Sequence, residues 1–278
     1  MTHWLITGVG SGLGQALASA ALARGDLVAG TVRTDSARAA FEAEAPGRAF
    51  GFVLDLADAE AVGPVVAAAE AALGGIGVLV NNAGYGLIGA VEEASAAEVA
   101  RQFAVNVFGP LAAIQAVLPF MRARRAGHIV NITSVSGHAA WAGTGVYCAS
   151  KFALEGIGET LAQELAPLGI KATNVAPGGL RTDYAARSMT VTARSIPDYD
   201  ETAHLSRRLL EAGAGREKGD PARAAHAILK LVDSEAPPVR LFLGTDALHY
   251  ATRKYGQVQT ELGEWIELST SIAFADGA

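Results

Sequence analysis

Short apolar runs alternate along the chain with longer stretches in which apolar residues recur every three or four positions. The runs Trp4–Ile6, Leu27–Val32, Ala49–Leu54, Ile76–Val80, His128–Ile132, Ile170–Val175 and Val239–Leu243 have the length and apolarity of strands buried on both faces. Leu13–Arg24, Ala59–Leu73, the stretch opened by Ser95, Tyr147–Leu165 and Pro221–Leu231 carry the helical pattern. Gly25 stops the first helix, Ser95-Ala-Ala-Glu98 has the spacing of a capping box, and Asp220 before Pro221 reads as a cap with proline in the first turn. The stretch after Ser95 is expected to break near Gly109-Pro110 and resume to about Arg125. Strand–helix alternation of this kind predicts a parallel sheet with helices on both faces. Right-handed crossovers make a doubly wound α/β sheet the natural arrangement.

No repeat, low-complexity tract or linker divides the chain, so residues 1–278 are expected to form a single domain. The one irregular segment, 183–219, is longer than an ordinary connection and mixes Arg187, Arg194, Arg207 and Arg208 with apolar residues. A substrate lid is the expectation, against a plain surface excursion. Its arginines fit an anionic group on a substrate or simple solvation. Residues 246–278 read as a helix and a loose tail.

Composition narrows the function classes. Half of the 278 residues are hydrophobic and the formal net charge is -6, so no basic footprint for nucleic acid is present. The single cysteine, Cys148, excludes an internal disulfide and fits a reducing cytoplasmic setting. Cys148 reads as a small buried filler rather than a nucleophile, since no activating motif accompanies it. Residues 2–7 already read as a strand rather than a signal peptide, and no apolar run is expected to span a membrane. The six histidines show no metal-ligand spacing.

Tyr147 and Lys151 stand four apart in a predicted helix and share a face, and Ser134 lies thirteen positions upstream. A phenol ionises near pH ~10, and an adjacent cation favours its phenolate. With a serine hydroxyl alongside, the set is suited to protonating a ketone or deprotonating an alcohol. At the other end of the chain, Thr7-Gly-Val-Gly-Ser-Gly-Leu-Gly14 follows a strand and opens a helix. There glycines let a pyrophosphate approach the backbone and the helix N-terminus offers N–H groups. The second strand ends Thr31-Val32-Arg33-Thr34, with Val32 where an NAD site typically has a carboxylate. A missing carboxylate followed by Arg33 suits a 2′-phosphate, hence NADP(H) in preference to NAD(H). The competing reading has Arg33 solvated and Asp35 on the ribose. Asp55, with Leu56 beside it, is placed for the adenine or as a cap of the following helix.

In this order the motifs resemble those of the short-chain dehydrogenase/reductase family, over residues 2 to about 245. The glycine motif matches Thr7–Gly14, the Asn-Asn-Ala-Gly segment matches Asn81–Gly84, and the active-site Asn, Ser, Tyr and Lys match Asn106, Ser134, Tyr147 and Lys151. Pro177-Gly178 matches the turn after the sixth strand. The resemblance implies a Rossmann-type sheet ordered 3-2-1-4-5-6-7. It also implies a cofactor site made of Gly8, Ser11, Gly12, Leu13 and Gly14, of Arg33, Asp55 and Leu56, of Asn82, Ala83 and Gly84, and of Pro177, Gly178 and Thr182, with Tyr147 and Lys151 on the nicotinamide ribose. Tyr147 would be the acid/base, Lys151 would bias it toward phenolate, Ser134 would hydrogen-bond the substrate oxygen, and Asn106 would hold a water leading to Lys151. Asn106 also reads as a helix-kink residue bonded to backbone, and the two roles are compatible. The glycine loop departs from many NADP-dependent relatives in having Ser11 where they carry Lys or Arg.

The function this implies is an NADP(H)-dependent oxidoreductase interconverting a carbonyl compound and a secondary alcohol. A non-catalytic NADP(H)-binding redox sensor and a nucleotide-sugar epimerase or dehydratase are the alternatives. Ser136, His138, Ala139 and Trp141 are expected to line the substrate side. A homodimer or homotetramer packed through Pro110–Arg125 and Tyr147–Leu165 is implied by the resemblance alone, with no nucleic-acid or membrane partner.

Overall fold

In a parallel strand, successive side chains point to opposite faces, and here both faces are apolar. Trp4 and Ile6 enter one core while Leu5 enters the other, and the same split separates Val28 from Ala29, Val78 and Val80 from Leu79, and Val130 from Ile129. This alternation sets the architecture of the computed structural model, which describes residues 1–182 and 188–274.

In chain order the elements are β1 (His3–Ile6), α1 (Gly12–Ala23), β2 (Leu27–Val32), α2 (Asp35–Glu44), β3 (Ala49–Val53), α3 (Ala59–Leu73), β4 (Val78–Asn81) and β5 (Gly86–Ile88). Then come α4 (Ala96–Phe103), a π turn (Ala104–Phe108), α5 (Gly109–Arg124), β6 (Gly127–Ile132), α6 (Gly145–Leu165), β7 (Ile170–Pro177) and β8 (Met189–Val191). The chain closes with α7 (Ala203–Gly213), α8 (Pro221–Val232), β9 (Arg240–Leu243), α9 (Thr245–Glu264) and α10 (Ile266–Thr270). Seven strands pair in parallel in the order β3-β2-β1-β4-β6-β7-β9, and β5 pairs with β8 in a separate ribbon. Leaving that ribbon aside, the order is the expected Rossmann-type one. Leu17 and Leu22 of α1 and Ile228 of α8 cover one face, with Phe41 of α2. Val62 and Val66 of α3, Ile114 and Val117 of α5, and Leu161 and Leu165 of α6 cover the other.

Three expectations are corrected. The break near Gly109-Pro110 is instead a π turn inside one continuous helical run: Gly109 N–H bonds Ala104 O five residues back, a register shift that comes just before the proline, which has no N–H to give. The run from Ala96 to Arg124 is therefore 29 residues and contains an 18-residue window with a mean hydropathy of 1.6, long and apolar enough by those measures to cross a membrane, where none was expected. Its inner face, including Ile114, Val117 and Met121, lies in the sheet's core. The part of 183–219 that is described is also not irregular. It contains β8 and α7, while residues 183–187, Arg187 included, lie outside the described residues.

Candidate active site

The glycine loop is shaped by close contacts. Gly8 has φ +75° and Gly12 φ +59°, backbone that favours glycine. A Cβ on Gly14 would lie 2.2 Å from Gly8 O and 2.3 Å from Asn82 Nδ2. Asn82 Nδ2 donates to Thr7 O (2.8 Å) and Gly8 O (3.2 Å), and the Asn82 and Ala83 N–H groups donate to Thr7 Oγ1 (2.9 and 3.0 Å). The Asn81–Gly84 segment thus braces the loop. Ser11 occupies the N-cap of α1 with extended backbone and no side-chain cap bond, so the first N–H groups of the helix are not satisfied by that side chain. A cleft of about 390 Å³ opens there, lined by Gly12, Gln15, Ser19, Arg181 and Thr182 among others. Thr182 Cβ lies 3.6 Å from where a side chain on Gly12 would begin. These residues fit a dinucleotide's pyrophosphate, with a backbone cradle that side chains would fill and a helix N-terminus facing it.

At the end of β2, Val32 is buried and Arg33 is exposed. Asp35 begins α2 and pairs with Arg38 at 3.0 Å, while Thr34 caps that helix through Ala37 N–H. Asp55 accepts from Ala57 N–H (3.0 Å) and pairs with Arg101 (2.9 Å). The Ala57 bond, then Arg101, with a smaller pull from Arg33, hold its carboxyl below the usual range despite partial burial. The cap of α3 is Asp58, through Ala61 N–H at 3.3 Å, so capping is not the role of Asp55. Leu56 is buried beside it.

The candidate catalytic groups come from three elements. Ser134 follows β6 and caps the turn Val135–Gly137, accepting from Ser136 N–H at 3.0 Å. Tyr147 and Lys151 share the face of α6 that turns inward. Lys151 Nζ lies 5.9 Å from the centroid of the Tyr147 ring and donates to Ile132 O at 2.9 Å. Lys151 is only 6% exposed, and burial lowers its ammonium pKa from 10.5 to about 8, against the opposing charge of Glu155. Asn106 sits in the π turn. Its Oδ1 accepts from Tyr85 N–H (3.1 Å), and its Nδ2 donates to Tyr85 O (2.9 Å) and Ser150 Oγ (3.1 Å). This bears out its reading as a backbone-bonding residue in a helix irregularity. Gln102, one turn earlier and fully buried, holds the same strand through Tyr85 O and Leu87 N–H. Gly84 passes between these groups: a Cβ there would be 3.1 Å from Asn106 Oδ1 and 3.6 Å from Lys151 Nζ.

Of the residues expected on the substrate side, Ser136 is half-buried, and Trp141 packs edge-on against Tyr250 of α9 at 5.3 Å. Ala139 and His138 are buried, and His138 lies between Glu155 and Tyr255 rather than facing open space. Cys148 is buried with Thr144 Oγ1 3.2 Å away. Pro177 ends β7, and Gly178 N–H donates to Leu243 O at 2.9 Å, with Asp246 of α9 bonding Gly179 N–H at 2.8 Å.

The segment from Ser188 onward is clamped to 86–98. Gly86 N–H donates to Ser188 O, Glu98 accepts from Ala193 N–H, and buried Glu93 accepts from Ile196 N–H (2.6 Å) and approaches His204 Nε2 at 2.7 Å. Sequence reasoning missed these acidic anchors. It also missed Asn131, Asn174 and Glu155, which are hydrogen-bonded in a buried row from β6 through β7 to α6. Polar residues inside otherwise apolar strands, and an acid four positions after Lys151, are the signals that were available.

A family model described as short chain dehydrogenase matches residues 2–191. Oxidoreductase BOA17 of Botryotinia fuckeliana is 36% identical over 271 residues, 97% of this chain and 98% of that protein. Retinol dehydrogenase 8 of Homo sapiens is 36% identical over 251 residues, 85% of this chain and 79% of its own length. A short-chain dehydrogenase structure from Streptomyces avermitilis superposes with a TM-score of 0.92 at 40% identity, over 98% of this chain and all of that one. A short chain dehydrogenase/reductase from Burkholderia phymatum in complex with NAD gives 0.82 at 25% identity, covering 94% and 95% of the two chains.

Proposed function

We propose, for a chain that belongs to the short-chain dehydrogenase family, that it is an NADP(H)-dependent oxidoreductase interconverting a carbonyl compound and a secondary alcohol, with Tyr147 as acid/base. The observation that carries the reading is the buried Lys151 ammonium held beside the Tyr147 ring on one face of α6. The nicotinamide, when bound, supplies or accepts the hydride. In reduction, the Tyr147 hydroxyl gives its proton to the carbonyl oxygen, and Lys151 stabilises the phenolate left behind. Ser134 Oγ donates a hydrogen bond to that oxygen as it gains charge, a contribution of about 3–4 kcal/mol at comparable sites. In oxidation the same groups run in reverse. Asn106 would hold the water that returns a proton toward Lys151, its side chain fixing the π turn against Tyr85.

The preference for NADP(H) rests on Val32 and Arg33 at the end of β2, and on the engagement of Asp35 with Arg38. Lys151 and Tyr147 would meet the nicotinamide ribose, and Asp55 and Leu56 would border the adenine.

The test is NADPH consumption over ketones and aldehydes graded by size and charge. Wild-type protein should turn over part of the panel. Tyr147→Phe should bind NADPH yet lose about 10²–10⁴-fold in kcat. No turnover anywhere on the panel, or an unimpaired Tyr147→Phe, would sink the reading.

A further inference from the structure

Lys151 is not the only charged group at its depth. Glu155 lies one turn further along the same face of α6, and the two residues are 6% and 5% exposed. A carboxylate buried this far is costly unless it is paired and hydrogen-bonded. Glu155 Oε2 accepts from Asn174 Nδ2 at 2.9 Å and from Arg240 Nε at 3.2 Å. His138 Nε2 is 3.0 Å from Oε1, and on its other side His138 Nδ1 is 2.9 Å from the Tyr255 hydroxyl of α9. Phe242 closes the imidazole edge-on at 4.7 Å. Asn174 continues to Asn131 (3.1 Å) and Asn131 to Asn81 (2.9 Å), residues in register across β7, β6 and β4. The row ends next to Asn82, which braces the glycine loop.

We infer that Glu155 is a positioning residue for the reaction. Its carboxylate, fixed by Asn174, Arg240 and the His138–Tyr255 pair, keeps Lys151 protonated beside Tyr147 and so makes α9 part of the apparatus. The inference rests on the roles given above to Tyr147 and Lys151.

The electrostatics agree in direction. Burial drives Lys151 toward its neutral form and the Glu155 charge opposes this. Burial also pushes the Glu155 carboxyl up, but the nearness of His138 and Thr133 and the hydrogen bond from Asn174 outweigh it and leave the carboxyl below its ordinary value. The groups facing the pair are Tyr147 on the same helix, His138 before it, Arg240 on β9 and Tyr255 on α9. Asn106 and Gly84, both uncharged, close the far side. Arg240 divides its charge between Glu155 and Glu159, the latter at 2.9 Å.

The experiment follows the ultraviolet absorbance of tyrosinate against pH, with Tyr147→Phe subtracted so that the Tyr147 step is isolated. Glu155→Gln keeps the shape and the Asn174 contact while removing the charge. It should move the Tyr147 step upward by about one pH unit, and Glu155→Asp should return it toward wild type. The rising limb of kcat/KM for alcohol oxidation should move with it. Tyr255→Phe, at a partly exposed position, should move the step in the same direction by less. An unmoved step in folded Glu155→Gln overturns the inference. Should that variant not fold, an unmoved step in Tyr255→Phe does so. The titration needs no substrate, so a wild-type protein that reduces no carbonyl counts against the proposed function while the Tyr147 step still decides the role of Glu155.

Discussion

Gly14→Ala is a one-carbon change whose cost can be worked from the glycine loop. The added Cβ would fall 2.2 Å from Gly8 O and 2.3 Å from Asn82 Nδ2, well inside the 3.0 Å that real contacts essentially never cross. One neighbour is backbone, and the other is an amide fixed by two hydrogen bonds, so neither can swing away cheaply. Forced displacement in a packed site costs about 1–3 kcal/mol. Weakening the Asn82 bonds to Thr7 O and Gly8 O costs about 0.5–1.5 kcal/mol each. Alanine returns up to about 1 kcal/mol as the better helix former. The net loss is about 1–6 kcal/mol, which at about 2–4 °C per kcal/mol lowers the melting temperature by about 2–24 °C. Gly10→Ala, in the same loop, is the control: its Cβ would meet only Val32 Cγ1, at 3.8 Å, an ordinary contact. Its stability should stay within about 0.5 kcal/mol of wild type. Thermal unfolding of the three proteins without cofactor measures both. A Gly14→Ala protein as stable as wild type, or equal losses in the two variants, would refute the reasoning.

Arg33→Ala should weaken NADPH binding by about 10–100-fold, the worth of a charged hydrogen bond, and leave NADH nearly unchanged; equal losses for the two cofactors in a fluorescence titration would remove the 2′-phosphate assignment. Buried His128 has its imidazole pKa lowered from 6.5 to about 4, by burial first and then by the charge of Lys171. The unfolded chain therefore binds the extra proton, and stability that is complete above about pH 6.5 is lost as pH falls toward about 4, by about 3 kcal/mol. His128→Gln should flatten that acid limb in urea unfolding, and a limb unchanged by the substitution would show that other groups set it.

The 188–213 region shows how a long connection becomes ordered. Its own sequence is weakly patterned, and its fixed points are side chains from elsewhere: Glu93 and Glu98 take its backbone N–H groups, and β5 supplies a partner for β8. Buried Glu93 draws on three donors, Ala90 N–H, Ile196 N–H and His204, which together offset the cost of hiding its charge.

The sequence by itself determined the doubly wound sheet, the glycine loop and the Tyr147–Lys151 face. Each is written in local periodicity or in a contiguous motif: strands buried on both faces read as apolar runs, glycines at 8, 12 and 14 mark where the backbone must turn or be approached, and a four-residue spacing aligns two side chains on a helix. The ribbon of β5 and β8 and the helix α2 were not legible. The ribbon strands are three residues long and are paired only by the fold. Among the residues of α2, Phe41 alone is buried, so its apolar stripe is too thin to register. Nor could periodicity show that Gly109-Pro110 would continue a helix through a π turn, because that turn is held by Asn106 reaching Tyr85 on another segment. Tertiary structure alone decided what surrounds Lys151. Asn81, Asn131 and Asn174 become neighbours through strand register, and Glu155, His138 and Tyr255 meet where α6, the turn after β6 and α9 converge. The parts of the site that depend on a single element were readable in the chain. Those that need a buried charge to find its partners from distant elements exist only once the sheet has assembled, since only there is the carboxylate removed from water and made to depend on them.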